Sequence, residues 1–253
     1  MENKNISKGS NAAGLGLFLA VGIIIGAWLL GWYFTEAKRI DNAHRNSIEV
    51  KGYAQKDIES DLGLWMSLLK ARSSDLTSAY AQINDFKART MKYLRDNGIS
   101  EKDIKLSAVY TREIYQQKDN GYGETNQLEG YELTMNISFQ SKNLDKVEEI
   151  SQKATDLIQQ GVNISSFEPQ YFYTKIEDLK LEMLGEASKN AYERAEKLAG
   201  NTDSEVGTLQ SASQGVFQIT SRNSTEVSDY GSFDTQSRLK TIKAVITASF
   251  SVK

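Results

Sequence analysis

Tyr131-Glu-Leu-Thr-Met-Asn-Ile-Ser-Phe-Gln140 is the stretch on which the fold turns. Tyr131, Leu133, Met135, Ile137 and Phe139 alternate without a break with Glu132, Thr134, Asn136, Ser138 and Gln140, the period of a strand with one buried face. Three residues on, Asn143 is a good N-cap for a helix with Leu144, Val147, Ile150, Ala154, Leu157 and Ile158 on one side, and Gly161 is placed to end it. The segment 162–173 then reads as a strand, with Pro169 marking an edge or a bulge.

Upstream the same order recurs. Leu62, Leu64, Met66 and Leu68 alternate with Trp65, Leu69 and Ala71, which predicts a strand covered on both faces. Asp75 caps a helix whose inner stripe is Leu76, Ala79, Tyr80, Ile83, Phe86, Thr90 and Leu94, and Gly98 ends it. Ile104, Leu106, Ala108, Tyr110 and Ile114 alternate as one strand, and the polar run 117–129 reads as a long hairpin tip. Ile48, Val50, Gly52 and Ala54 supply an earlier strand.

Downstream, a helix over 176–199 carries Leu179, Met183, Ala187, Ala191, Ala195 and Leu198 inward. Strands near 207–214 and 216–221 follow, then a Ser-rich loop over 222–238. A closing strand places Ile242, Ala244, Ile246, Ala248, Phe250 and Val252 inward and Thr241, Lys243, Thr247 and Ser249 outward. The class is α+β, with mainly antiparallel sheet, two strand–helix–strand units and a third, Ala-rich helix.

Composition narrows the chemistry. The 253 residues include no Cys, one His and one Pro, at a net charge of −3. Cys-ligated metals, disulfides and thiol nucleophiles are thereby excluded. A charge balance of 30 basic against 33 acidic residues gives no basic domain and argues against nucleic acid as a partner. No residue pattern points to a cofactor, a metal site or a catalytic set.

The N-terminal part departs from the polar average. Residues 12–34 read AAGLGLFLAVGIIIGAWLLGWYF, with no charge between Lys8 and Glu36. A bilayer core of about 30 Å needs about 20 helical residues, so this run is long enough to span one. Trp28, Trp32 and Tyr33 gather at one end as interfacial aromatics do. The organisation expected is a short tail over 1–11, an uncleaved transmembrane signal anchor over 12–34, a linker over 35–46 that holds His44, and an exported α+β domain over 47–253. Basic residues flank both ends of the anchor, so charge alone leaves its orientation open.

Ser47-Ile-Glu-Val-Lys-Gly52, Asp61-Leu62, Asn97-Gly98-Ile99 leading to Asp103-Ile104, Gly130-Tyr131, and Glu186-Ala187 with Ala191, Arg194-Ala195-Glu196, Leu198-Ala199 and Gly207 resemble, in order and spacing, the SIMPL domain across about 48–252. Ser60 departs from the family, which commonly has Pro before Asp61. The resemblance implies an exported bacterial protein, periplasmic or at the cell surface; together with the 12–34 anchor, the expected location is the bacterial inner membrane, single-pass, with the main domain periplasmic or extracellular. The resemblance also implies association with oxidative-stress defence and with homo-oligomers, and it brings no catalytic residues.

Glu124, Glu129, Asp229 and Asp234 lie in or beside the two polar loops as the candidate carboxylates, and Asp119-Asn120-Gly121 lacks the further ligands of a calcium loop. Tyr115, Tyr122, Tyr171 and Tyr173 are candidates for a recognition surface, against the plainer reading as aromatic strand residues. The function expected is non-enzymatic self-assembly or partner binding at the cell envelope. The alternatives are a carboxylate-dependent hydrolase using 117–129 and 222–238, or a ligand-binding or chaperone-like module.

Overall fold

A computed structural model of the chain describes residues 22, 24–33, 46–118 and 123–253. The tail 1–11, the run 12–21, the linker residues 35–45 with His44, and Asp119-Asn120-Gly121 with Tyr122 lie outside the described residues. The fold is α+β. Its elements are α1 (24–33), β1 (Ser47–Glu59), β2 (Leu62–Ser73), α2 (Leu76–Asp96), β3 (Ile104–Leu106), β4 (Tyr110–Gln117), β5 (Glu124–Ser141), α3 (Leu144–Lys153), β6 (Ile164–Ser166), β7 (Gln170–Phe172), α4 (Ile176–Gly200), β8 (Val206–Gln214), β9 (Gln218–Ser221), β10 (Ser232–Phe233) and β11 (Leu239–Val252). They fall into two units, Tyr53–Ala187 with Gly215–Val245, and Met1–Gly52 with Ser188–Gln214 and Ile246–Lys253.

The first unit contains the sheet that the 131–140 pattern predicts. Its order is β3-β5-β2-β6, with β4 also on β5 and β7 also on β2, and every pairing is antiparallel. The two strand–helix–strand units, β2-α2-β3 and β5-α3-β6, interleave: each unit's strands are separated by a strand of the other. This is the split βαβ, ferredoxin-like arrangement. Asp75 accepts from the Ser78 N–H at 2.7 Å and Asn143 from the Lys146 N–H at 3.1 Å, so both helices start where the caps predict. Gly98 follows the end of α2 at φ +83°, while α3 passes at Ala154 into a 3-10 helix, Ala154–Gln160, that Gly161 ends at φ +81°, a conformation costly for any side chain.

Helices cover one face of this sheet. Trp65, Leu69, Ala71, Leu133, Ile137 and Phe139 are at most 1% exposed and pack with Ala79, Ile83, Leu94, Val147 and Ile150 in a single core. The opposite face corrects the expectation that β2 is covered on both sides. Leu62, Leu64 and Leu68 are half-buried there and Met66 is exposed. Apolar residues on both faces of a strand show that it is central, without saying which face the helices take.

Other departures have local causes. The single strand expected over 104–114 is two, β3 and β4, both on β5. Between them the Ser107 hydroxyl accepts from the Asn136 N–H at 2.9 Å, in place of a backbone carbonyl. Pairing of β4 with β5 continues to Gln117 and Glu124, so the 117–129 tip shrinks to 118–123, closed by the Lys118 N–H on the Gly123 carbonyl at 3.1 Å. Leu76, Tyr80, Ile158 and Leu198, read as inward, are 43–54% exposed. In α4 the buried ladder is Leu179, Met183, Ala187, Ala191, Ala195 and Ala199, in steps of four that wind round the helix as an i±4 ridge.

Gly130 and Ser60 show how closely backbones approach. A Cβ on Gly130 would lie 2.4 Å from the Ser73 carbonyl oxygen. The Ser60 N–H donates to the Arg238 carbonyl at 2.9 Å, a bond that proline, the family's usual residue, has no hydrogen to make.

The second sheet runs β1-β11-β9-β10, with β8 also on β11. Thr241 and Ser249 of β11, read as outward, are buried, and Thr241 donates to the Asp57 carboxylate at 2.7 Å. A polar side chain with a short-range partner of this kind sits inward at little cost.

Candidate functional site

The 222–238 segment reads as a loose polar loop, yet strand side chains hold its backbone. Gln218 is 7% exposed; its carboxamide donates to the Ser228 carbonyl at 2.7 Å and accepts from the Ser228 N–H at 3.2 Å. Lys243 donates to the Ser224 carbonyl at 2.9 Å. Lys240, 2% exposed, donates to the Asp234 carbonyl at 2.7 Å and lies 3.6 Å from the Asp234 carboxylate. Asp234 Oδ1 accepts from the N–H groups of Gln236 and Ser237, at 2.8 and 3.2 Å. Burial pushes Lys240 below the usual lysine range, against the opposing charge of Asp234. Burial would raise Asp234, but the hydrogen bonds from Ser237 and Gln236 and the charge of Lys240 outweigh it and hold its carboxyl low.

Thus anchored, the end of the segment brings Gln236 and Arg238 beside α3 and the β6–β7 turn. Arg238 contacts Asp145 at 2.6 Å, Glu148 at 3.5 Å and Glu59 at 3.7 Å, and Asp145 foremost holds its guanidinium in the charged form. Two cavities, of about 410 and 640 Å³, share Glu148, Tyr171 and Gln236 in their walls. Tyr171 is 6% exposed, and burial first, then Glu148, pushes its hydroxyl up.

Of the tyrosines named as a recognition surface, Tyr171 lines this cleft. Tyr173 follows it and is half-buried, while Tyr115 lies on β4, at the other edge of the sheet, and donates to Glu113. Tyr122 lies outside the described residues. Tyr115 and Tyr171 therefore lie on opposite edges of the sheet. Among the loop carboxylates, Glu129 pairs with Arg72 at 3.0 Å and Asp234 with Lys240; Glu124 and Asp229 are exposed. Among the described residues no three acidic or histidine side chains are grouped to hold a metal ion. Trp28, Trp32 and Tyr33 lie on α1 at 63–70% exposure.

Lys240, Gln218, Arg238 and Glu148 were not among the candidates from sequence. Lys240 had a readable sign: it shares the parity of Ile242, Ala244 and Ile246 in β11, so alternation alone turns a lysine inward. Arg238 and Glu148 are 90 positions apart in sequence and carried no such sign.

The family model of SIMPL, described as a protein of unknown function (DUF541), matches residues 48–250. The uncharacterized protein YggE of Edwardsiella ictaluri (strain 93-146) is 24% identical over 155 residues, which cover 60% of this chain and 61% of that protein. The match thus spans about three fifths of the relative's length. With most of the described domain inside the match, and its turn glycines and alanine ladder where the fold needs them, the chain belongs to the SIMPL family.

Proposed function

We propose that this chain is a single-pass protein of the bacterial inner membrane whose periplasmic or extracellular domain is non-enzymatic and acts by self-assembly and partner binding, in envelope stress defence. The observation that carries the assembly reading is β8. It runs nine residues, its side chains are exposed from Thr208 to Gln214, and β11 is its only paired strand among the described residues. It contains no charge and no proline, the features by which natural edge strands repel a second chain. A charge-free edge can meet its own copy without repulsion, and closed symmetric association covers it. The other face of the first sheet adds exposed Met66, with Leu62, Leu64 and Leu68 half-buried beside it, as apolar surface.

Anchoring is supported by α1. Ile24, Ile25, Trp28, Leu29 and Leu30 are 50–70% exposed around a helix whose side chains are almost all apolar, a surface suited to lipid. Among the described residues no helix is long and apolar enough to cross a membrane, and α1 is the described part of the 12–34 run. Alkaline carbonate extraction of cell membranes, with protease added to spheroplasts, tests the placement. The expected result is that the chain stays in the pellet and its 47–253 part is digested from outside. Release into the supernatant, or protection of that part, would contradict it.

A further inference from the structure

The cleft beside the 234–239 segment has the make-up of a ligand site. Tyr171 is 94% buried, yet its hydroxyl has no hydrogen-bond partner among the described residues and is not sealed off. A buried polar group left open into a cavity is one whose bond is to be made by something that enters. Around it, the carboxylate of Glu168 and the carboxamide of Gln236 make no side-chain bond among the described residues, and Phe167 is 46% exposed.

The lining selects the chemistry of the occupant. The cations of the second cavity are already committed, Arg222 to Asp57 at 3.1 Å and Arg238 to Asp145 at 2.6 Å, so no free positive charge awaits a phosphate or carboxylate. Glu148 and Glu168 repel anions further. Apolar contacts are confined to Phe167 and Pro169 in one cavity and Leu239 in the other, too few for an acyl chain. What remains is one exposed aromatic face beside planar donors and acceptors. A sugar ring fits it, with its C–H face on the aromatic and hydroxyls that both donate and accept. Two neighbouring cavities that share Glu148, Tyr171 and Gln236 in their walls provide room for more than one ring.

We infer that this cleft binds a neutral linear oligosaccharide, one ring lying on Phe167 and its hydroxyls bonded by Tyr171, Glu168 and Gln236. The site stands independently of anchoring and of self-assembly.

The test is saturation-transfer difference NMR on the full chain in lipid nanodiscs, which avoids sugar-headed detergents. The probes are cellotetraose and tetra-N-acetylchitotetraose at millimolar concentration, with a Lys/Arg-rich decapeptide as the competing class. Saturation of ring protons is expected for at least one sugar. It should fall about fivefold or more in Tyr171→Phe, as loss of one hydrogen bond implies, and likewise in Phe167→Ala and Gln236→Ala, with circular dichroism unchanged. Phe167 and Gln236 are exposed, so their variants keep the test valid if Tyr171→Phe unfolds. No saturation of either sugar, equal saturation in folded variants, or saturation of the peptide alone that Glu168→Gln abolishes would each overturn the inference.

Discussion

Replacing Lys240 with alanine is expected to cost about 3 kcal/mol, the scale for removing one partner of a buried ion pair, and to lower the melting temperature by about 6–12 °C for a domain of this size. Lys240 is 2% exposed and the Asp234 side chain 17%, so the carboxylate left behind has little water to turn to. Among the described residues its Oδ2 has no hydrogen-bond partner, and the Lys240 ammonium lies 3.6 Å from it. The cost of the single change is mainly that of an abandoned charge. A Lys240→Met/Asp234→Asn double variant, with both charges gone, should therefore recover a large part of the loss, giving a coupling of about 1–3 kcal/mol in the double-mutant cycle. Additive losses would show that the two residues act separately.

The same pair sets the acid response. Asp234 is held below its unfolded value of 3.8, so its contribution is present above that pH and disappears as pH falls through the lower folded value. Thermal unfolding between pH 6 and 2 should fall less steeply in Lys240→Met/Asp234→Asn than in the natural chain. Lys240 has the same sign of shift: burial favours its neutral form, so its ionisation opposes folding until the pH rises toward 10.5.

Trp65→Ala is expected to cost about 3–5 kcal/mol, the range for emptying a buried aromatic site. Trp65 is fully buried, with its ring centroid 5.6 Å from that of Phe139. Its indole N–H donates to the Ser166 hydroxyl at 2.9 Å, which donates to the Ser151 carbonyl at 2.7 Å. The side chain thereby links β2 to the edge strand β6 and to α3. Trp65→Phe keeps most of the volume and leaves Ser166 without its donor, so a smaller cost of about 1–3 kcal/mol is expected. Urea unfolding followed by circular dichroism separates the two. Equal costs would place the effect in the hydrogen bond rather than the ring. Of three tryptophans Trp65 alone lies outside the 12–34 run, so emission lost in Trp65→Phe reports the domain.

What could be read from sequence follows the range of the interactions. The 131–140 alternation, the Asp75 and Asn143 caps and the Gly98 and Gly161 stops are set within a few residues, and each falls where its pattern puts it. The break at Ser107 was hidden because a hydroxyl took over a ladder bond from Asn136, 29 positions away. The 222–238 segment looked unstructured because its order comes from Gln218, Lys240 and Lys243, whose side chains bind its backbone from neighbouring strands. The cleft was harder still. Tyr171 could be named as a candidate, but its neighbours Glu148 and Gln236 come from α3 and from the chain before β11, and only the sheet order brings them together.

Self-assembly is the centre of the functional account, and sedimentation velocity of the full chain in detergent micelles measures it most directly. After subtraction of bound detergent, a protein mass that is a fixed multiple of 28.3 kDa is expected. Substituting Lys for Ser211 and Ser213, at the exposed β8 edge, should reduce that multiple. A mass of one chain at every concentration, up to the highest attainable, would contradict the account.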